Sequence, residues 1–419
     1  MRLGTASWQK LPISACCERV TSGGTPSRKF PNFYVNGTIP WVKTGELADW
    51  YVRANDVSEW ITNDALERSS AKIYPPGTVL IAMYGDGSTI GTLGIVDRPL
   101  ASNQACCALV PNKRICIPEY LFYSLMHRRS ELVSLALGGA QRNLSGTTIK
   151  RFEICVPPLA VQSRIADVLS SYDQLIENNL RRIAILEETA RRVYEEWFVR
   201  LRAPACERLP LIDSPRGPFP QGWKMVQLQE LANDIRDGCL PAELDTSIPY
   251  VGLEHIPRRS TTLTEWGAVD GVTSLKLRYM HGDILFGKIR PYFHKVAVAP
   301  SHGVASSDAI IIRAKDKSLR SIVLAVVSSD DFVAHAVQTS NGTKMPRADW
   351  KVLRQYAVAV PDGDTLAAFD GIIWPSVELA MTLAKQNRNL RAQRDLLLPK
   401  LISAAIDVSE AEPLLEAAE

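Results

Sequence analysis

The stretch PPLAVQSRIADVLSSYDQLIENNLRRIAILEETARRVYEEWF, Pro157 to Phe198, carries a single apolar stripe from end to end. Its members are Ile165, Leu169, Tyr172, Ile176, Asn179, Ile183, Leu186, Ala190, Val193 and Trp197, at steps that alternate between four and three. That period keeps one seam of a helix turned toward a partner helix. It predicts a long helix from about Gln162 to Phe198. Arg181, Arg182, Glu187, Glu188, Arg191, Arg192, Glu195 and Glu196 lie between the stripe positions and read as a charged, solvated face.

A second stripe supplies the partner. Phe369, Ile373, Ser376, Ala380, Leu383, Asn387, Leu390, Arg394, Leu397 and Leu401 repeat the same steps in the same phase. Placing Pro157 on Pro361 sets an offset of 204 residues, which carries Leu169 onto Ile373 and Leu186 onto Leu390. Asn179 and Asn387 are polar residues on the two seams. A buried amide there would need a specific partner and would fix register; exposure beside a frayed contact is the other reading. The pairing of the two rods within one chain is expected to be antiparallel. About 35 helical residues make a strut of roughly 50 Å, with a head at either end.

The heads repeat as well, and in the same order. Trp8 answers Trp223 in GWKMVQL, and Ile39-Pro40-Trp41 answers Ile248-Pro249-Tyr250. Gly77 to Leu80 answers Gly282 to Leu285, and GGAQRNLS from Gly138 answers NGTKMP from Asn341. Each head reads as mixed α/β. GTVLIAMYGDGSTIGTLGIV, Gly77 to Val96, holds β-branched runs broken by glycines, and Asp283 to Ala299 behaves similarly. Pro118 opens an amphipathic helix to about Leu135, with a counterpart from Ser318 to Val337. The proline- and glycine-rich segment from Ala203 to Gly222 reads as the connection between halves. The resulting division is a first head at 1–158, a helix at 159–203, a linker at 204–222, a second head at 223–361, a helix at 362–407 and a tail at 408–419.

With 419 residues, 46% hydrophobic and 22% charged, the chain has the composition of a globular protein with two domains of ordinary size. No uninterrupted apolar run approaches a bilayer span. The chain reaches Trp8 and Leu11 without a basic leader and apolar stretch, so a cytoplasmic protein with no membrane partner is expected. The eight cysteines, at 16, 17, 106, 107, 116, 155, 206 and 239, form no CxxC, and two pairs are adjacent. That spacing suits core thiols better than a disulfide framework or zinc. A net charge of +3 permits nucleic-acid binding only where basic groups cluster.

Catalytic signatures are missing. GDGSTIG from Gly85 lacks the Gly-Lys-Ser/Thr ending of a phosphate loop and reads as a turn. The six histidines form no HExxH, and there is no GxSxG. The chain is therefore read as a binder with no catalytic, cofactor or metal residues of its own. Candidate nucleic-acid contacts are polar loop residues: Lys43, Thr44, Arg142 and Asn143 in the first head, and His255, Arg258, Arg259, Lys288, Arg290, Tyr292 and Lys344 in the second. Arginine pairs bidentately with guanine and asparagine with adenine, while lysine more often holds phosphate.

The IPW at Ile39, the Pro157–Phe198 stretch, GDILFGKIRPYFHKVA from Gly282 and LRAQRDLLLPKLIS from Leu390 together resemble the specificity subunit of type I restriction-modification systems, over nearly the whole chain. The resemblance implies two target-recognition domains, each binding one part of a split duplex sequence. It also implies an antiparallel coiled-coil spacer and no catalytic centre. The partners it implies are two modification subunits, which use S-adenosylmethionine to methylate adenine, and restriction subunits that translocate and cleave. One departure stands out: Pro361-Asp-Gly-Asp replaces Pro157-Pro-Leu-Ala, which predicts a later start for the second helix. A non-catalytic two-headed scaffold for protein or RNA is the alternative.

Overall fold

The computed structural model describes residues 8–85, 89–136, 143–204, 209–213, 217–241, 244–271, 273–342 and 344–408. The chain divides into two compact units, residues 1–174 with 391–419, and residues 175–390. Each unit is one head together with parts of both long helices.

In the first unit, a five-stranded sheet runs in the order Cys17–Ser22, Cys106–Pro111, Val79–Ala82, Leu93–Val96, Trp50–Val52. A four-stranded sheet runs Trp60–Ile61, Ile39–Val42, Leu100–Ser102, Ile73–Tyr74. Cys106–Pro111 pairs on both edges and every residue of it is buried. Alternation along the strand sends its adjacent cysteines into different cores. Cys106 joins Leu80 and Ala108, while Cys107 joins Ile81 and Leu109. Burial pushes the Cys107 thiol up to about 12, so it packs as a small apolar group.

The second unit repeats this register. Ala232–Asp234, Ala309–Ala314, Ile284–Gly287 and Val296–Val298 form one sheet in that order. In the other sheet Pro249–Val251 lies parallel to Gly303–Ser306, as Ile39–Val42 lies parallel to Leu100–Ser102 in the first unit. Each head is closed by an antiparallel pair that also leads into a long helix: Gln9–Pro12 with Glu153–Val156, and Lys224–Gln227 with Ala357–Val360. Gly77 and Gly282 both take φ +85° at the turn before the central strand, a conformation that favours glycine. The matching pair of glycines marks the same turn in both copies. In the connecting segment, Leu211–Ile212 pairs with Phe219–Pro220.

The first long helix spans Leu159–Tyr194 and ends in a π-helical turn at Glu195–Val199. The second spans Gly363–Ile402. Because 363 minus 159 is again 204, the second helix does not start late. Asp362 supplies what the Pro-Leu sequence lacks, its carboxylate accepting from the Thr365 N–H at 2.9 Å and the Thr365 hydroxyl at 3.0 Å. This is a side-chain cap for otherwise orphaned first-turn donors. The expected helix from Pro118 is interrupted: Pro118–His127 gives way to Arg129–Ser134 at Arg128. Its counterpart divides likewise into Arg320–Val327 and Asp330–Gln338, the latter capped by Ser329.

Within each unit the two helices run antiparallel. In the first, Ile165 and Leu169 share a core with Leu398, Leu401 and Ile402, and Asp173 meets Arg394. In the second, Asn179 meets Asn387, Ile183 packs with Ala380, Leu383 and Ala384, and Trp197 and Phe198 lie on Phe369. Ile165, Leu169, Ile176, Ile183, Ile373 and Leu383 are buried, whereas Tyr172, Leu186, Val193, Trp197, Leu390 and Leu397 are half-buried. An 18-residue window of the second helix reaches a mean hydropathy of 1.3, enough by length and composition for a membrane span and contrary to the expectation from sequence. The helix is apolar on two sides for a structural reason. Phe369, Ile373, Trp374 and Met381 enter the head's core, while Ala380, Leu383 and Ala384 meet the first helix.

The asparagines of the seam are both buried. The Asn179 side-chain amide donates to Asn387 Oδ1 at 2.9 Å, and the Asn387 amide donates to the Ile176 carbonyl at 3.1 Å. Replacing Asn387 by leucine takes the acceptor from the buried Asn179 amide and the second donor from the Ile176 carbonyl, and is expected to cost about 1–3 kcal/mol. The double replacement N179L/N387L removes both amides together and is expected to be clearly more stable than N387L alone. Urea midpoints of the three proteins check the ordering.

Candidate nucleic-acid interface

In the second head, three loops that are remote in sequence close on one another. The first follows Pro249–Val251 and contains His255, Arg258 and Arg259. The second follows Ile284–Gly287 and contains Lys288, Arg290 and Tyr292. The third runs from Asn341 to Arg347. Backbone hydrogen bonds lock them: Arg259 N–H donates to the His294 carbonyl at 2.9 Å, Arg290 N–H to Pro346 at 2.8 Å, and Ala348 N–H to Lys288 at 2.8 Å. Ile289 and Arg347 form a further antiparallel bridge, and Asn341 pairs with Arg347. Such reciprocal pairing leaves little freedom to the side chains that project from the loops.

Phe293 is the hub. The Arg258 guanidinium sits 4.1 Å from its ring centroid and that of Arg290 at 6.0 Å, while Tyr292 meets it edge-on at 4.8 Å. The aromatic face holds both cations by its quadrupole. Tyr292 remains 51% exposed at the crown of the turn. Lys288 donates to the Ser307 carbonyl and Lys344 is exposed. Arg259 pairs with a carboxylate, Asp330 at 3.0 Å, and His255 Nδ1 lies 3.8 Å from that of Glu254. Among the described residues no carboxylate pairs with Arg258, Lys288, Arg290, Lys344 or Arg347. His255 turns inward. Its Nδ1 accepts from Gly252 N–H at 2.9 Å and its ring stands edge-on to Tyr250, so it braces the loop.

The first head distributes its candidates differently. Lys43 pairs with Glu59 at 2.8 Å, and Arg28 meets the same carboxylate at 2.6 Å. Burial pushes the Glu59 carboxyl up, but hydrogen bonds from Lys43 and Arg28 outweigh it and hold the group below its ordinary value. Thr44 opens the short turn Thr44–Glu46 and is half-buried. Asn143 is exposed and bridged to Tyr84, with Leu144 N–H donating to the Met83 carbonyl at 2.8 Å. The bridges Tyr84–Asn143 and Ile289–Arg347 are the same feature in the two heads. Arg142 lies outside the described residues.

Several contributors escaped the sequence reading. Arg347 stands 204 residues after Asn143, so the offset itself was the signal for it. Lys295, which donates to the Leu253 carbonyl, and Arg28 carried none. Glu187, expected on the solvated face, instead binds the backbone behind Arg258 and Arg259. Its Oε1 accepts from Thr261 N–H at 2.9 Å, Thr262 N–H at 2.8 Å and the Ser260 hydroxyl at 2.8 Å. Among the described residues no group of three or more His, Cys, Asp or Glu is placed to hold a metal ion. What the surface offers is fixed cations, hydrogen-bond donors and an exposed aromatic, the chemistry of polyanion recognition.

Comparison with known proteins adds the following. Residues 6–188 match the model of the type I restriction modification DNA specificity domain. The type I restriction enzyme MjaIX specificity subunit of Methanocaldococcus jannaschii is 26% identical over 413 residues, covering 93% of this chain and 92% of that protein. The EcoDI specificity subunit of Escherichia coli is 21% identical over 264 residues, 58% of this chain and 59% of that one. The crystal structure of the S subunit from M. genitalium superposes with a TM-score of 0.60 at 16% identity, covering 96% and 98% of the two chains. That likeness is one of fold.

Proposed function

The chain belongs to the family of type I restriction-modification specificity subunits, and on that premise we propose that each of its heads binds one part of a split duplex target. The recognition domains are 1–158 and 223–361 in this reading. The helical regions 159–203 and 362–407 set the gap between the two parts and dock two modification subunits, and 204–222 connects the halves. The subunit reads sequence and leaves chemistry to its partners. S-adenosylmethionine binds in the modification subunits, and restriction subunits join the assembled core.

The observation that carries the reading is the duplicated loop frame. Both heads fold back a strand-end loop against a late loop, through Tyr84–Asn143 in one and Ile289–Arg347 in the other. In the second head, cations without carboxylate partners gather on that frame. A duplicated frame with different side chains is what a reader of two unlike half-sites requires.

Exchange of residues 1–158 for those of a family member with another target tests this. The modified adenines are mapped in cells that also express the modification subunit. One half of the target is expected to change completely, with the other half and the gap retained. Changes in both halves would defeat the modular reading.

A further inference from the structure

Arg290 is held in a conformation that L-residues rarely adopt. Its backbone lies at φ 50°, ψ 62°, and His294 at the other end of the same turn lies at φ 51°. The offset of 205 that superposes Gly77 on Gly282 and Tyr84 on Ile289 places Arg290 on Gly85, whose backbone differs, at φ +154°. The first head has glycine at this position. The second head carries an arginine there in spite of the backbone strain, and strain of this kind is retained where the side chain has work that the fold does not require.

That side chain is aimed and unanswered. The Pro346 carbonyl fixes its backbone from one side at 2.8 Å, and Phe293 backs its guanidinium at 6.0 Å. Its Nε is buried with no acceptor, and among the described residues no carboxylate neutralises it. With Nε enclosed, the terminal nitrogens are left to meet acceptors from outside the chain.

We propose, resting on the two-headed recognition of duplex DNA argued above, that Arg290 reads a guanine in the half of the target bound by the second head. A planar fork held in one direction matches the paired acceptors O6 and N7 on the major-groove edge of guanine. Phosphate needs no such aim, and an exposed ammonium group such as that of Lys344 serves it on the same surface. Gly85 at the equivalent place withholds this contact from the other half-site. The two halves therefore differ at the base pair that this position faces.

The test is selection from a randomised duplex library by the full-length chain assembled with its modification subunits. The wild type is expected to yield a two-part motif with a guanine in the second head's part. In R290Q the preference at that one position falls about ten- to a hundredfold, the discrimination of one bidentate pair. The first part of the motif persists and reports that the variant is folded. R290K keeps the charge without the fork, so its salt dependence stays that of the wild type while the guanine preference weakens. An unchanged motif in R290Q, with affinity lowered for every sequence and the salt slope reduced by about one, would place Arg290 on phosphate and overturn the assignment. If the wild type selects no two-part motif, the recognition reading itself fails and the assignment falls with it.

Discussion

Replacing Asp173 by alanine is expected to destabilise the full-length chain by about 3–5 kcal/mol, the penalty for breaking a buried ion pair by removing one member. Asp173 is 5% and Arg394 15% exposed, and the Asp173 carboxylate joins the Arg394 guanidinium of the second long helix. Tyr123, fully buried in the head, donates its hydroxyl to the other carboxylate oxygen at 2.7 Å. Burial pushes the Asp173 carboxyl above its ordinary value, while the charge of Arg394 and the Tyr123 hydroxyl oppose the rise. One carboxylate therefore ties head, first helix and second helix within the first unit. Its loss leaves the Arg394 guanidinium with only the exposed Asp395 as an ionic partner and takes the carboxylate acceptor from the buried Tyr123 hydroxyl. Replacing all three groups by apolar ones, Y123F/D173L/R394M, removes the unmatched polar atoms together and is expected to recover most of the loss. Urea unfolding of the wild type, D173A and the triple variant decides the matter. A D173A midpoint equal to that of the wild type would show that the pair contributes nothing to folding.

The same residues show where sequence reasoning reaches and where it stops. The seam was legible because heptad spacing is a one-dimensional pattern, and Ile165, Leu169, Ile176, Ile183 and Leu383 are buried by the faces that pattern defines. Asn179 and Asn387 were legible as polar members of the two seams, but the repeat carries Asn179 onto Leu383, and it is the antiparallel pairing of the helices that brings the two amides together. Asp173 was not, since it sits one position beyond the stripe and is drawn inward by Tyr123 and Arg394. Lys43 reads as a free loop cation until the strand pairing of Ile39–Val42 with Trp60–Ile61 brings Glu59 beside it. The convergence of residues 252–260, 288–295 and 341–348 depends on backbone pairing between loops, which no local pattern encodes. The repeat came closest to showing it, because offsets of 204 and 205 carry Asn143 onto Arg347 and Tyr84 onto Ile289, the two ends of the corresponding bridges.

Glu187 links a helix to the loop that carries Arg258 and Arg259, and its replacement by alanine is expected to loosen that loop while the fold persists. Two backbone N–H groups and a hydroxyl converge on one carboxylate oxygen at 2.8–2.9 Å. On the opposite side, the Thr261 carbonyl accepts from Val298 N–H at 2.8 Å, so the segment is clamped between helix and sheet. Hydrogen bonds to an ionised acceptor contribute about 1.5–3 kcal/mol each. Removing the acceptor is expected to lower amide-exchange protection at Thr261 and Thr262 by about ten- to a hundredfold. If the ordered loop then forms in only about a tenth of molecules, duplex affinity of the assembled complex falls about tenfold, by the fraction that remains competent. The base preference stays as it was, because Glu187 orders the loop without touching the bases. E187Q keeps an acceptor oxygen but loses the charge, so it falls between the wild type and E187A in both readouts. Full protection at Thr261 and Thr262 in E187A would show that the sheet side alone holds the loop, and that the helix has no hand in positioning its arginines.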